Sequence, residues 1–184
     1  VDLPEILFHG WIFRAESLEG VIDGTPNQFH AEIGIYCARK GIHVLTEKPI
    51  AASLAEGKRM VEAVEESGIS MLVGHHRRYY PPIRRAREIV QSGELGQLVG
   101  VSMLWALMKP DVYFDVAWRS QKGGGPILIN IIHEMDNLRF ICGDVAEISA
   151  NARRLVRSGE VEDTVSMRFE LVDGTLGTAL VTDT

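Results

Sequence analysis

The chain has 184 residues, 46% of them apolar and 24% charged, which is enough for one medium domain or two small ones with a buried core. Its net charge of −6, with no basic run beyond pairs such as Arg77-Arg78 and Arg153-Arg154, excludes nucleic-acid binding through a broad positive patch. No apolar run reaches membrane-spanning length, and Cys37 and Cys142 lie far apart with no metal-like spacing, so both are expected to be reduced core thiols in a cytoplasmic protein.

Residues 1–19 are weakly patterned: Leu3 to Leu7 fit one helical turn, and Trp11, Ile12 and Phe13 form an apolar knot without an evident place. From about residue 20 to 95 the pattern alternates strand and helix. Gly20-Val21-Ile22 is a short strand that runs into the turn signal Asp23-Gly24-Thr25-Pro26-Asn27. A helix fits 28–40, with Ile33, Tyr36, Cys37 and Lys40 on one face and Gly41 as its stop. Ile42 to Leu45 is the second strand. Ser53-Leu54-Ala55-Glu56 is a capping box opening a helix whose inner face is Leu54, Met60, Val61 and Val64 and whose stop is Gly68. Ile69 to Val73 is the third strand. Pro81-Pro82 opens another helix, with Ile83, Ala86, Ile89 and Val90 inward and Gly93 as its stop. Such alternation predicts a parallel sheet covered by helices.

After Gly96 the texture changes. Leu98 to Met108 reads as a strand, Pro110 to Lys122 as an aromatic-studded loop, and residues 127–142 as one apolar helix behind Gly123-Gly124-Gly125-Pro126. Strands are expected at about 145–157, 163–171 and 175–182, the last two joined by a hairpin turn at Asp173-Gly174. The fold class is therefore α/β: a partial Rossmann-like parallel sheet, then an α+β part with a mainly antiparallel open sheet. The expected domains are residues 1–95 and 96–184.

The chemistry collects at strand ends. Thr25-Pro26-Asn27, Glu47-Lys48-Pro49 and Gly74-His75-His76-Arg77-Arg78 follow the three strands of the first half. Ligands of open α/β sheets bind at that carboxyl edge. Pro49 restricts the backbone leaving the second strand, and a lysine aimed there can polarise or protonate a substrate oxygen. Taken alone, a lysine after a strand is more often a solvated loop residue. Trp118-Arg119 precedes the triple glycine, and His133 lies behind it.

Together these stretches resemble the Gfo/Idh/MocA family, the glucose–fructose oxidoreductase and inositol dehydrogenase group. The matching segments are Thr25 to His30, Thr46-Glu47-Lys48-Pro49-Ile50, Gly74 to Pro81, Trp118-Arg119, and Gly123 to Gly125 with His133 and Asp136, and the likeness covers about residues 20–184. The resemblance implies a Rossmann domain followed by an α/β domain whose open sheet makes an oligomer contact. It implies NAD or NADP as cofactor and a hydroxyl or carbonyl of a sugar, cyclitol or related compound as substrate. It casts Lys48 as the lysine on the reacting oxygen and His133 as the acid/base. Glu47 and Pro49 would shape the nicotinamide pocket; Thr25, Pro26, Asn27 and His30 would lie along the cofactor. His76 and Arg77 would lie near nicotinamide or substrate, with Trp118 and Arg119 covering the cofactor.

Two departures matter. The family often places an aspartate four residues before the histidine; here that position is Ile129, and Asn130, three residues before His133, is the polar group expected on its side. The Gly-x-Gly-x-x-Gly turn that seats a pyrophosphate is not present in the 184 residues. The chain opens on Val1 and closes directly after a strand-like run, so a fragment with half a Rossmann domain is expected, and weak cofactor binding with it.

Blander readings accompany each residue. Neighbouring His75 and His76 on a strand end would point to opposite sides, without the further ligands a metal needs. His30 and His43, taken alone, are a helix-surface and a strand residue. His133 would be a satisfied core histidine, Trp118 plain core, Gly123 to Gly125 a linker, and Arg153 and Arg154 solvated charges. The leading function is an NAD(P)-dependent oxidoreductase, or the part that carries its catalytic residues. The alternatives are a non-catalytic remnant serving binding or oligomerisation, and a relative that uses the cofactor for hydrolysis or elimination at a sugar.

Overall fold

The computed structural model describes residues 18–184. The expected helical turn at Leu3 to Leu7 and the knot at Trp11 to Phe13 lie outside the described residues. The chain divides into two compact units, one ending at Gly74 and one running from His75 to Thr184.

In the first unit, β1 (Gly20–Asp23), β2 (His43–Thr46) and β3 (Met71–Val73) form a parallel sheet in that order. Val21 pairs with Val44 and Val44 with Met71, so all three strands end at one edge. Helices α1 (His30–Arg39) and α2 (Leu54–Ser67) connect them. Gly41 and Gly68 both sit at φ +71°, the left-handed conformation that ends a helix at low cost to glycine. One half of the capping box forms, with Ser53 Oγ accepting from the Glu56 N–H at 3.3 Å; the Glu56 carboxylate takes the Ser53 hydroxyl at 2.8 Å instead of its backbone N–H.

The two helices meet at Gly34, where a Cβ would stand 2.1 Å from the Met60 methyl. Ile33 and Cys37 pack on Val44 of the sheet. Burial pushes the Cys37 thiol up to about 11, as for an inert core thiol. Two inner-face assignments change. Leu54 is 76% exposed, because the first residue of α2 points off the Met60–Val64 stripe, and Gly57 takes the buried place. Lys40 is exposed at the end of α1.

In the second unit, β4 (Gly100–Ala106), β5 (Val145–Arg153), β6 (Thr164–Leu171) and β7 (Leu176–Thr182) form a sheet in the order β4-β7-β6-β5. Only the β4–β7 pair is parallel. Strict alternation along β6 and β7 sends Val165, Met167, Phe169, Leu171, Ala179 and Val181 to one face, against Ile131 and Leu138. Gly177 lies opposite Phe169, whose ring covers the space a Cβ would need. The β6–β7 turn is the expected one: Asp173 accepts from the Thr175 N–H at 3.0 Å, and Gly174 has φ +85°.

The apolar stretch 127–142 is two helices, α4 (Gly125–Ile129) and α5 (Ile132–Cys142), not one. Asn130 and Ile131 N–H both close on the Pro126 carbonyl, at 3.2 and 2.8 Å, which ends the first helix. Helix α3 (Pro81–Gln91) packs along α5, where Arg87 stacks on Phe140 at 4.3 Å. Its inner face is half-buried at Ile83, Ala86, Ile89 and Val90, the apolar stripe of the sequence.

Candidate active site

The carboxyl edge of the first sheet is held together by buried polar groups. Asp23, at the end of β1, takes the Thr25 N–H at 3.1 Å and the Thr25 hydroxyl at 2.7 Å on one oxygen. Its other oxygen faces the Thr46 hydroxyl at 3.4 Å. This Asx-type turn fixes Thr25 and leaves Pro26 exposed, while Asn27 turns inward. His30, expected along the cofactor and bland as a helix-surface residue, is 1% exposed. Its Nδ1 lies 2.7 Å from the Pro49 carbonyl and its Nε2 2.8 Å from the Thr25 carbonyl, so it bridges two turns.

At the end of β2 the Glu47 N–H donates to the Asp23 carbonyl at 2.8 Å, and the Lys48 N–H to Glu47 Oε2 at 3.1 Å. The Lys48–Pro49 peptide is cis. The Glu47 carboxylate lies over Gly74, the residue that follows β3; a Cβ there would come within 3.1 Å of Oε2. Glycine at 74 thus leaves room for that carboxylate. Thr25, Glu47 and Lys48, with Gly74 beneath Glu47, occupy one edge of one parallel sheet, as their shared position after strands requires.

In the second unit the chain turns at once into a 3-10 turn, His76–Tyr79. That turn corrects the expected divergence of the neighbouring histidines. The His76 ring lies 4.9 Å from the His133 ring and the His75 ring 6.2 Å from it, both edge-on. His75 Nδ1 stands 3.8 Å from Asp136 Oδ2. Arg77 pairs with Glu134, and Arg78 grips Asp136, which its position three residues after His133 puts one turn along α5. Asn130 sits at the bend between α4 and α5, and among the described residues its buried Nδ2 meets no acceptor.

Trp118 and Arg119 lie in a second 3-10 turn, Ala117–Ser120. The Arg119 guanidinium stacks on Tyr113 at 4.0 Å and donates to the Tyr113 carbonyl at 2.8 Å. The triple glycine makes a close backbone approach, not a linker: a Cβ on Gly124 would stand 2.5 Å from the Arg119 carbonyl and 2.6 Å from that of Trp118. Sequence reasoning missed Arg157 and Asp163. Arg157 donates to the carbonyls of Lys109 at 2.6 Å and Asp183 at 2.9 Å and lies 3.8 Å over Phe114, anchoring the loop that carries Trp118. A cavity of about 390 Å³ is bounded by Arg119, Gly125, Arg157, Asp163 and Asp183. Among the described residues no cluster of three or more His, Cys, Asp or Glu is placed to hold a metal.

Residues 11–75 match the model of the oxidoreductase family with an NAD-binding Rossmann fold, and residues 83–184, more than half of the chain, match the GFO/IDH/MocA C-terminal domain. A 2,7-anhydro-N-acetylneuraminate hydratase of Mediterraneibacter gnavus is 29% identical over 81% of this chain and 40% of its own length. A 1,5-anhydro-D-fructose reductase of Ensifer adhaerens is 32% identical over 69% of this chain and 38% of its own length. The WlbA dehydrogenase of Bordetella pertussis, solved with NADH and UDP-GlcNAcA, superposes with a TM-score of 0.86 at 29% identity, over 90% of this chain and 53% of that one. The chain thus spans about half the length, or less, of these relatives.

Proposed function

The chain belongs to the GFO/IDH/MocA oxidoreductase family, and on that premise we propose that it carries the reacting half of an NAD(P)-linked dehydrogenase or reductase for a hydroxyl or carbonyl of a sugar, cyclitol or related small molecule. The observation that carries this is the Glu47-Lys48-Pro49 turn at the end of the middle parallel strand, with the Glu47 carboxylate seated on Gly74. That edge fits the nicotinamide end of a dinucleotide, because its polar groups come from successive strand ends. Thr25, Pro26, Asn27, Glu47 and Pro49 would line the cofactor, which supplies or accepts the hydride when bound.

Lys48 then acts on the substrate oxygen. Its ammonium donates a hydrogen bond there and stabilises the negative charge that develops during transfer. His133 carries the hydroxyl proton, with His76 and Arg77 beside it in the same unit. Trp118 and Arg119 would cover the cofactor from the loop that Gly124 and Arg157 hold. The working division is residues 1–95 for the cofactor and 96–184 for substrate and assembly, in a cytoplasmic homo-oligomer formed through the open sheet face that exposes Leu104, Leu176 and Leu180. Likeness to a hydratase favours a second reading, elimination or hydration at a sugar with the same residues.

Amide chemical-shift mapping with NADH in the millimolar range tests the cofactor assignment. Shifts should cluster at Thr25, Asn27, Glu47, Lys48 and Gly74. Shifts scattered elsewhere, or none, count against it. Product analysis with anhydro-sugars and NAD separates oxidation from hydration.

A further inference from the structure

We propose that His30 stands behind the strand-end edge as an imidazolium, a buried ring protonated on both nitrogens that braces the Thr25 turn against the Pro49 turn. It would be a positioning residue for the backbone that presents Thr25 and Lys48.

The ring is almost fully buried, and both nitrogens face main-chain carbonyl oxygens, Pro49 at 2.7 Å and Thr25 at 2.8 Å. A carbonyl oxygen only accepts. A neutral imidazole has one N–H, so one of the two contacts would set a nitrogen lone pair against an oxygen lone pair at hydrogen-bond distance. Turning the ring over would put carbon where each nitrogen now stands and lose both bonds. Protonation of both nitrogens satisfies both acceptors, and charge-assisted bonds are the shorter and stronger kind.

A buried charge needs a compensating one. Asp23 provides it. That carboxylate is 3% exposed and is reached from His30 through a single residue: the Thr25 carbonyl accepts from the ring, and the Thr25 N–H and hydroxyl donate to Asp23. The Thr46 hydroxyl faces the other Asp23 oxygen. The connected path Pro49–His30–Thr25–Asp23–Thr46 therefore spans the ends of β1 and β2 and balances one cation with one anion. The other charged groups of these turns do not supply the counter-charge: the Glu47 carboxylate is turned onto Gly74, and Lys48 is itself cationic. Across the sheet, His43 is the opposite case, since its Nδ1 accepts from the Ser70 N–H at 3.0 Å and so must keep a lone pair.

The brace depends on the fold alone; its relevance to catalysis rests on the proposed role of Lys48. The test is a long-range ¹H–¹⁵N correlation spectrum of the 184-residue chain at neutral pH, with the His30 signals identified by their loss in His30→Gln. The expected result is a proton on both His30 nitrogens, while His43 shows one protonated and one lone-pair nitrogen. One lone-pair nitrogen on His30 overturns the proposal. In His30→Gln one amide group replaces two donors, so the Thr25, Glu47 and Lys48 amide resonances should move. If that variant folds with those resonances unmoved, His30 positions nothing. If it does not fold, the parent spectrum decides. A doubly protonated ring in a chain that NADH does not perturb would remove the cofactor assignment and leave the brace standing.

Discussion

Arg78 grips Asp136 through two parallel hydrogen bonds, Nε to Oδ2 at 2.7 Å and Nη2 to Oδ1 at 2.5 Å. The carboxylate is 6% exposed and the guanidinium 38%, so an acid deep in the fold is neutralised by a base at its surface. Asp136 holds the Arg78 proton more tightly than usual, by direct hydrogen bonding. The pair ties the turn carrying His75 and His76 to the helix carrying His133.

Removing one partner leaves the other charge stranded. Arg78→Ala should cost about 3 kcal/mol, the low end for a broken buried pair because half of this one meets water. Lysine cannot reproduce the two-pronged grip, so Arg78→Lys should recover only part. Urea unfolding of both variants, with Asp136→Asn to complete a double-mutant cycle, gives the coupling. A coupling near zero means that the pair is ornamental.

Gly124→Ala should destabilise by about 1–3 kcal/mol, since its Cβ would push on the main-chain carbonyls of Trp118 and Arg119, which cannot swing aside as a side chain can. Near-ultraviolet circular dichroism should change with it if Trp118 moves. Gly41→Ala is the control: nothing lies near its Cβ position, and its cost should come from the positive φ alone, about 1 kcal/mol.

Lys48→Ala should lower turnover by at least about a hundredfold in an active preparation, with unfolding unchanged. His133→Ala should lower it less, because Ile129 stands where a carboxylate would have steadied the imidazolium. Steady-state kinetics of the two variants decide the order. Near-normal turnover in Lys48→Ala would falsify the mechanism while leaving the fold intact.

Asp163 carries a pH-dependent share of stability. Burial pushes its carboxyl up, but the N–H groups of Arg157, Leu155 and Val156 outweigh this and hold it below the usual range. A depressed carboxyl contributes stability above its unfolded value, about 3.9, and loses it as pH falls through the lower folded value. Asp163→Asn should therefore cost about 1–3 kcal/mol at neutral pH, with the gap to the parent narrowing below about pH 4. Asp183 runs the other way. Burial raises its carboxyl despite the Arg157 guanidinium, so its ionisation opposes folding and its contribution improves on acidification. Denaturant midpoints for each asparagine variant across pH separate the two.

Much of this was legible in the residues. Each strand of the first sheet is a short apolar run closed by turn formers, and such runs mark both the strand and the edge where chemistry gathers. The capping box at Ser53 and the glycine stops at 41, 68 and 93 act through local geometry and needed no partner to be recognised. His30 left a trace that went unread: with Ile33, Gly34 and Cys37 it completes one helical face, spaced three, four and seven residues on. The bend at Asn130-Ile131 left a fainter trace: its one polar residue, Asn130, stands at the helix end between isoleucines, with no glycine or proline to mark the stop. Arg157 was invisible for another reason. Its partners Lys109, Asp111 and Asp183 are distant in sequence, and no local pattern announces an arginine that will stack on a phenylalanine.

The pairing of β4 with β7 sets an order of events during synthesis. Among the described residues β4 has β7 as its one neighbour in the sheet, yet Gly100 must wait for Leu176 to be made before it finds its register. Until then the emerging chain carries a strand with unpaired N–H and C=O groups, the condition that recruits chaperones or invites neighbouring chains to pair. Closing so long a loop is slow relative to forming the β6–β7 hairpin. Pulsed hydrogen exchange during refolding should find β4 amides protected after those of the hairpin, the later strand acting as the template on which the earlier one is laid down.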